Sequence, residues 1–168
     1  MDFMDDEAVE SAICRICETS VPAKLLTEHS AKCSVKTSCF SKIEACNDKF
    51  ATYITTIERR LNRLVALQTK VRSLSLKCDA DFAAKLDEVA LLQRYERNAR
   101  RMIELDKEGD VAALTHDIMS ELDSLDAHDA FFQALRGAIS QTLLEKSDAL
   151  LALKDVLKGD TYDSALLS

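Results

Sequence analysis

Hydrophobic residues recur every three to four positions along most of the chain, which is the spacing of amphipathic helices. The pattern is clearest from residue 35 to residue 76, where one apolar series repeats every seven positions and a second series follows three positions later. Neither proline nor glycine interrupts this stretch, so it predicts one helix of roughly 40 residues, or two helices joined near residues 37–41. Its core-facing residues are Ile43, Cys46, Phe50, Tyr53, Ile54, Ile57, Leu61, Leu64, Leu67, Val71 and Leu74.

Three further helical stretches follow, separated by short polar connections. We predict them over residues 80–108, 111–125 and 130–158, with Asp110 as an N-cap and with Gly109 and Gly159 as stop signals. A glycine inside the last of these helices, Gly137, would allow a close helix contact. The apolar stripes of the three helices are Phe82, Leu86, Val89, Leu92, Ala99 and Met102; Val111, Leu114, Ile118, Leu122 and Leu125; and Phe131, Leu135, Ile139, Leu143, Leu150, Leu153 and Leu157.

Composition agrees with a helical fold. Three glycines and one proline are too few for the turns of a many-stranded sheet or for the glycine-rich loops of nucleotide-binding folds. Short connections favour antiparallel neighbours, so we predict an all-α protein built on an antiparallel bundle of three or four helices. Because matching stripes follow on the same chain, we expect the first stripe to pack within a monomer rather than in a coiled-coil dimer.

Four of the residues near the N-terminus have the spacing of metal ligands. Cys14 and Cys17 are separated by two residues, His29 and Cys33 by three, and eleven residues lie between the two pairs. A close cysteine pair can hold one ion from a tight turn, and residues four apart lie on one side of a helix. Thiolate and imidazole ligands suit zinc, and four protein ligands leave no position for a reactive water. We therefore predict one structural Zn²⁺ bound by these residues, with a short helix from Ala23 to Lys32.

The domain organisation follows from these two parts. We predict an acidic, disordered lead-in over residues 1–12, a C2HC zinc finger over 13–34, the helical bundle over 35–160 and a tail over 161–168. The first ten residues carry five acids and no base, unlike a signal or transit peptide. No apolar run approaches the ~18–20 residues that span a bilayer. We therefore expect an intracellular protein, cytoplasmic or nuclear, that makes no use of a membrane.

The finger resembles the small zinc finger found upstream of the catalytic domain in a group of AGC-type protein kinases. These are the plant IRE-type kinases and their fungal Greatwall-like relatives, in which a largely helical region follows the finger. The resemblance covers about twenty residues and implies a finger-plus-helix regulatory segment. The chain contains no glycine-rich loop, His-Arg-Asp loop or Asp-Phe-Gly sequence, so we expect no kinase activity in it. The resemblance rests on Cys14-Arg15-Ile16-Cys17-Glu18, Val21-Pro22, His29-Ser30 and Cys33.

The same spacing is also similar to the ubiquitin-binding fingers of DNA-damage-tolerance proteins. In those fingers an acidic residue two positions after the metal-binding histidine contacts ubiquitin, and here that position is Ala31. Helix 23–33 could still offer another docking face. A nucleic-acid role has less support, because the finger helix carries Lys24 and Lys32 together with Glu28 and has no aromatic residue for base stacking.

The other cysteines and histidines have structural interpretations. We expect Cys39, Cys46 and Cys78 to be thiols outside any metal site, with Cys46 in the core because it lies on the apolar stripe. His116 and His128 lie among acidic residues, but neighbours in sequence point in different directions on a helix. We interpret these residues as helix caps and a solvated face rather than as a second site.

Charge is unevenly distributed. The net charge is −7, yet residues 34–77 carry nine basic and three acidic residues, whereas residues 109–168 carry four and eleven. We expect these segments to be neighbours in one bundle and their arginines to pair mainly with acidic residues, although a local basic patch could also receive a phosphate or an acidic tail. That patch consists of Arg94, Arg97, Arg100 and Arg101.

Together these patterns predict a non-enzymatic, zinc-binding interaction or regulatory module with a protein partner. Two alternatives remain open at this point. One is an adaptor that binds ubiquitin or another peptide, and the other is a fragment of a full-length serine/threonine kinase.

Overall fold

The computed structural model of this protein describes residues 10–73 and 80–166. Within these ranges the chain forms a small two-stranded antiparallel sheet and four α-helices, which confirms the predicted all-α fold class. No helix in these ranges is long and apolar enough to cross a membrane. The elements are β1 (Ser11–Ile13), β2 (Ser20–Pro22), a single 3₁₀ turn (Ala23–Leu25), α1 (Leu26–Ser73), α2 (Ala80–Glu104), α3 (Val111–Ser124) and α4 (Ala130–Leu166).

The described residues divide into two compact units. One contains the residues up to Ser41 and those from Ala152 onward, and the other is Lys42–Leu151. Strands β1 and β2 belong to the first unit, with Ala12 opposite Val21. Strand β1 therefore starts two residues before the predicted finger boundary, while residues 1–9 of the predicted lead-in lie outside the described residues. The division of the chain into a finger over residues 13–34 and a bundle over residues 35–160 stays a prediction.

Helix α1 is a single helix of 48 residues. The predicted finger helix and the predicted long helix are thus the same element, with no break near residues 37–41. The absence of proline and glycine from Leu26 to Ser73 explains why nothing interrupts the backbone hydrogen bonds.

Side chains from all four helices form the core of the Lys42–Leu151 unit. Most residues of the predicted stripes are buried there, and Tyr95 and Leu105, which the stripes did not include, are buried with them. The side chains of Val71, Leu74 and Phe82 lie outside the described part. The buried cluster consists of Cys46, Phe50, Ile57, Leu64, Leu92, Tyr95, Met102, Leu105, Val111, Ile118, Leu122, Leu125, Phe132, Leu135, Ile139, Leu143 and Leu150.

Three stripe residues lie elsewhere than predicted. The side chains of Leu67, Leu86 and Leu114 are exposed, because each lies at the edge of its helix's apolar face. At the start of α4 the buried phenylalanine is Phe132, and Phe131 is only partly buried.

Helix α2 ends at Glu104, four residues before the predicted end. The carbonyls of Met102 and Ile103 would accept the N–H groups of residues 106 and 107 if the helix continued. They accept hydrogen bonds from Lys146 Nζ instead, at 2.6 and 2.9 Å. Lys146 is fully buried and donates a third bond, to Asn47 Oδ1 at 2.7 Å. Its three protons thus have three acceptors, and its charge is favourably placed at a helix C-terminus.

Neither Gly109 nor Gly159 acts as the predicted helix stop. Helix α2 ends before Gly109, and α4 continues through Gly159 to Leu166, so most of the predicted tail is helical. A glycine stop requires a left-handed backbone, and no glycine in the described ranges has a positive φ. Glycine inside a helix costs only about 1 kcal/mol relative to alanine. The close contact expected at Gly137 is also wrong, because a Cβ placed there would meet nothing within 4 Å.

Arg60 connects three helices within the Lys42–Leu151 unit. Its guanidinium carbon lies 4.1 Å from the centre of the Phe131 ring, and its Nε donates to Glu88 at 2.6 Å. A further nitrogen lies 3.6 Å from Asp129, whose carboxylate also caps α4 by accepting from the backbone N–H of Phe132 at 3.0 Å. Arg60 therefore combines a cation–π contact with two ion pairs.

Two of the four arginines of the predicted basic patch pair with acidic residues. Arg100 pairs with Glu96 and Glu58, and Arg101 pairs with acidic residues of α3. This is the ordinary outcome expected for a charged helix face.

Candidate metal centre

The cysteine pair lies in a tight turn between β1 and β2. The backbone N–H of Glu18 donates to the carbonyl of Cys14 at 2.8 Å, and the N–H of Cys14 donates to the carbonyl of Thr19 at 3.0 Å. Glu18 has a left-handed backbone with a φ of 59°, which is uncommon for a residue other than glycine. This conformation closes the turn and places Cys17 on the same side as Cys14.

The other two residues come from the first turns of α1. His29 and Cys33 are one helical turn apart, so their side chains lie on the same side of the helix. His29 Nε2 lies 3.2 Å from Cys33 Sγ and 3.2 Å from Cys17 Sγ. The histidine ring thus connects the helix to the cysteine turn.

All four predicted ligands meet at one point. The sulfur atoms of Cys14, Cys17 and Cys33 and a ring nitrogen of His29 lie within 4.8 Å of one another. In a tetrahedral zinc site, ligand atoms are about 3.5–3.8 Å apart, given metal–ligand distances of about 2.0–2.3 Å. The donor set and its spacing are therefore compatible with one bound metal ion. Cys14 and Cys33 are buried, His29 is partly buried and Cys17 is exposed.

No protein-family model, curated protein or solved structure matches this chain. Kinship with the kinase-associated or the ubiquitin-binding fingers therefore stays a prediction. Function is therefore inferred from the geometry of the cluster itself.

Local hydrogen bonds and burial give the three thiols different acidities. Hydrogen bonding from Thr19 lowers the pKa of Cys17 to about 7. Backbone hydrogen bonds from Cys17 and Ile16 lower the pKa of Cys14. Burial raises the pKa of Cys33 to about 11. Because a metal binds the thiolate form, occupation of the site requires Cys33 to lose its proton, and binding weakens as the pH falls.

Two hydroxyl groups beside the sulfurs were not among the predicted site residues. Thr19 Oγ1 lies 2.8 Å from Cys17 Sγ, and Ser30 Oγ lies 3.8 Å from Cys14 Sγ. Their positions next to the motif were the only signal in the sequence, since Thr19 follows Cys17 by two residues and Ser30 follows His29 directly.

Cys39, Cys46, His116 and His128 lie outside this cluster. Cys39 and Cys46 are buried, and Cys46 belongs to the hydrophobic core as predicted. Cys78 lies outside the described residues. His128 is 3.4 Å from Asp126 and packs against Phe132, with the ring centres 5.1 Å apart. In the part of the chain that the structure describes, the three-cysteine, one-histidine cluster is the one group suited to a metal ion.

Proposed function

We propose that this protein is a non-enzymatic interaction module whose N-terminal finger is ordered by one structural Zn²⁺ ion. The observation that carries the proposal is the convergence of Cys14, Cys17, His29 and Cys33, whose ligand atoms lie within 4.8 Å of one another. Three thiolates and one imidazole form a donor set that binds zinc in preference to harder divalent cations. A complete set of four protein ligands leaves no coordination position for a water to attack a substrate.

The small size of the finger supports a structural role for the metal. Its hairpin has strands of three residues each, and no residue of its 3₁₀ turn is buried. So few residues cannot bury enough apolar surface to fold alone, and metal binding is the usual source of the missing stability. The fully buried side chain of the hairpin is Cys14, which is itself a ligand.

Exposed apolar side chains support an interaction role. Ile13 is 67% exposed and directly precedes ligand Cys14, and Ile16 is 46% exposed and directly precedes ligand Cys17. Large aliphatic residues at the surface of a small, metal-ordered module are suited to contact with a protein partner.

Metal analysis of the purified chain tests the zinc site. We expect one zinc ion per chain, and Cys17→Ser should reduce this below one tenth. Cys39→Ala and Cys46→Ala are the matched controls and should keep full occupancy. His29→Cys should also keep the metal, because zinc accepts four thiolates. Absence of stoichiometric metal from a protein purified with zinc present would refute the proposal.

The interaction role needs a separate experiment. Affinity capture with the native chain, with Cys17→Ser and with an Ile13→Ser, Ile16→Ser double variant should show the same binding partner lost in both variants. Metal analysis of the double variant should still give one zinc ion. If the partner binds both variants as tightly as it binds the native chain, the finger takes no part in the interaction.

A further inference from the structure

The hydroxyl groups of Thr19 and Ser30 lie against the two cysteines of the Cys14–Cys17 pair. Thr19 reaches Cys17 from the hairpin, and Ser30 reaches Cys14 from helix α1. Each cysteine of the pair thus has its own hydroxyl neighbour, contributed by a different element.

The charge of the site explains what these hydroxyls can do. Three thiolates and one neutral imidazole around a divalent cation leave one net negative charge, spread over the sulfur atoms. Cys14 is fully buried, and charge in a buried group is unfavourable unless hydrogen bonds compensate it. A thiolate has no proton to give, so in the metal-bound state the hydroxyl must be the donor and the sulfur the acceptor.

Thr19 is held in place independently of its hydroxyl group. Its backbone carbonyl accepts the N–H of Cys14 at 3.0 Å, and the left-handed Glu18 precedes it. The 2.8 Å distance from its hydroxyl to Cys17 Sγ is therefore a consequence of the turn that also sets the cysteine spacing. Cys17 is the exposed ligand of the four, so it is the sulfur most open to competition from water and chelators.

We propose that Thr19 and Ser30 are positioning residues of the metal site, which donate hydrogen bonds to the Cys17 and Cys14 thiolates and thereby set the metal affinity. The inference rests on the proposed zinc site. Loss of an outer hydrogen-bond partner of a metal ligand typically weakens metal binding by 10–100-fold. Thr19 should have the larger effect, because its distance to sulfur is shorter than that of Ser30.

Competition between the intact protein and a chelator of known zinc affinity tests this inference. Thr19→Val removes the hydroxyl and keeps the side-chain shape, and we expect about tenfold weaker zinc binding. Thr19→Ser restores a hydroxyl and should recover affinity to within about threefold. Ser30→Ala should weaken binding by less than Thr19→Val. Thr37→Val, at an exposed position of α1, is the matched control and should leave the affinity unchanged.

A spectroscopic readout separates a hydrogen bond to sulfur from a general loss of structure. With Co²⁺ in place of zinc, the thiolate-to-metal charge-transfer bands should shift to lower energy in Thr19→Val, because the sulfur loses a donor, and should return in Thr19→Ser. The inference is wrong if Thr19→Val binds zinc within twofold of the native chain, or if Thr19→Ser binds as weakly as Thr19→Val. If the native chain itself binds no metal, it is the proposed function that fails.

Discussion

The buried amine of Lys146 predicts a pH dependence of stability at alkaline pH. Burial lowers the pKa of Lys146 to about 8, against 10.5 for an ordinary lysine. Between these two values the unfolded chain binds a proton that the folded chain does not, so the free energy of unfolding rises with pH. At about 1.4 kcal/mol per pKa unit, the full effect is about 3 kcal/mol, reached as the pH rises from 8 to 10.5.

The assay compares the native chain with Lys146→Met, which cannot titrate at this position. Urea unfolding followed by far-ultraviolet circular dichroism, with reductant present, gives the free energy of unfolding of each at pH 7, 8, 9 and 10. We expect the difference between them to move by about 2 kcal/mol in favour of the native chain between pH 7 and pH 10, since most of the titration is complete by then. Taking the difference between the two free energies of unfolding cancels the titration of the tyrosines and cysteines that both proteins share.

Lys49→Met is the matched control. Lys49 is half-exposed and pairs with Glu145 at 2.9 Å, and this pairing raises its pKa. Its titration therefore lies above that of an ordinary lysine, and its difference from the native chain should stay level up to pH 10. A Lys146→Met difference that is equally level, or that moves against the native chain, would show that the Lys146 amine is not held in a poorly hydrated site.

Substitutions at three further positions have calculable effects. Gly137→Ala should raise the free energy of urea unfolding by about 1 kcal/mol, because a Cβ there meets nothing within 4 Å; no gain would indicate an unseen contact. Asp110→Ala should lower the free energy of unfolding by about 1 kcal/mol, because Asp110 Oδ1 accepts the N–H of Ala113 at 3.1 Å. Asp110→Asn should preserve most of this stability, because asparagine is also a good N-cap. Glu18→Gly should slow zinc removal by chelators, because glycine relieves about 1 kcal/mol of left-handed backbone strain, whereas Glu18→Val should speed it. Equal rates of zinc removal from the two variants would show that the left-handed backbone at position 18 does not affect the site.

Apolar periodicity was sufficient to predict the four helices and most of their core. Phe50, Ile57, Ile118, Leu122 and Ile139 were expected inside and are buried. The period of a helix fixes which residues share a face, and burial of that face then follows from the hydrophobic effect. Periodicity does not fix the width of the buried stripe, so residues at its margin, such as Leu86, were assigned to the wrong side.

The polar interior could not be predicted in the same way. Lys146 falls on the apolar stripe of α4 between Leu143 and Leu150, but its charge argued against burial. Its partners are carbonyl groups more than forty residues away, and only the folded chain brings them together. The carbonyls that Lys146 binds are those left without a helical N–H donor at the early end of α2.

The cluster of three cysteines and one histidine was predicted from spacing, whereas its surroundings were not. Ligand spacing is set by local geometry, a tight turn for Cys14 and Cys17 and one helical turn for His29 and Cys33. The approach of the Thr19 hydroxyl to Cys17 depends on the left-handed backbone conformation at Glu18. No pattern in the sequence predicts that conformation at a glutamate. The identity of the ion, the partner and the oligomeric state stay predictions.

Arg60 restricts how this sequence can vary in related proteins. A lysine could keep one ion pair but could not stack flat on Phe131 while donating to Glu88, so the usual conservative exchange is unfavourable here. Loss of the arginine would leave a partly buried Glu88 without its partner and remove the cation from the aromatic ring. Homologues should therefore either retain arginine, glutamate and phenylalanine at positions 60, 88 and 131 together or replace all three, which gives a covariation pattern joining α1, α2 and α4.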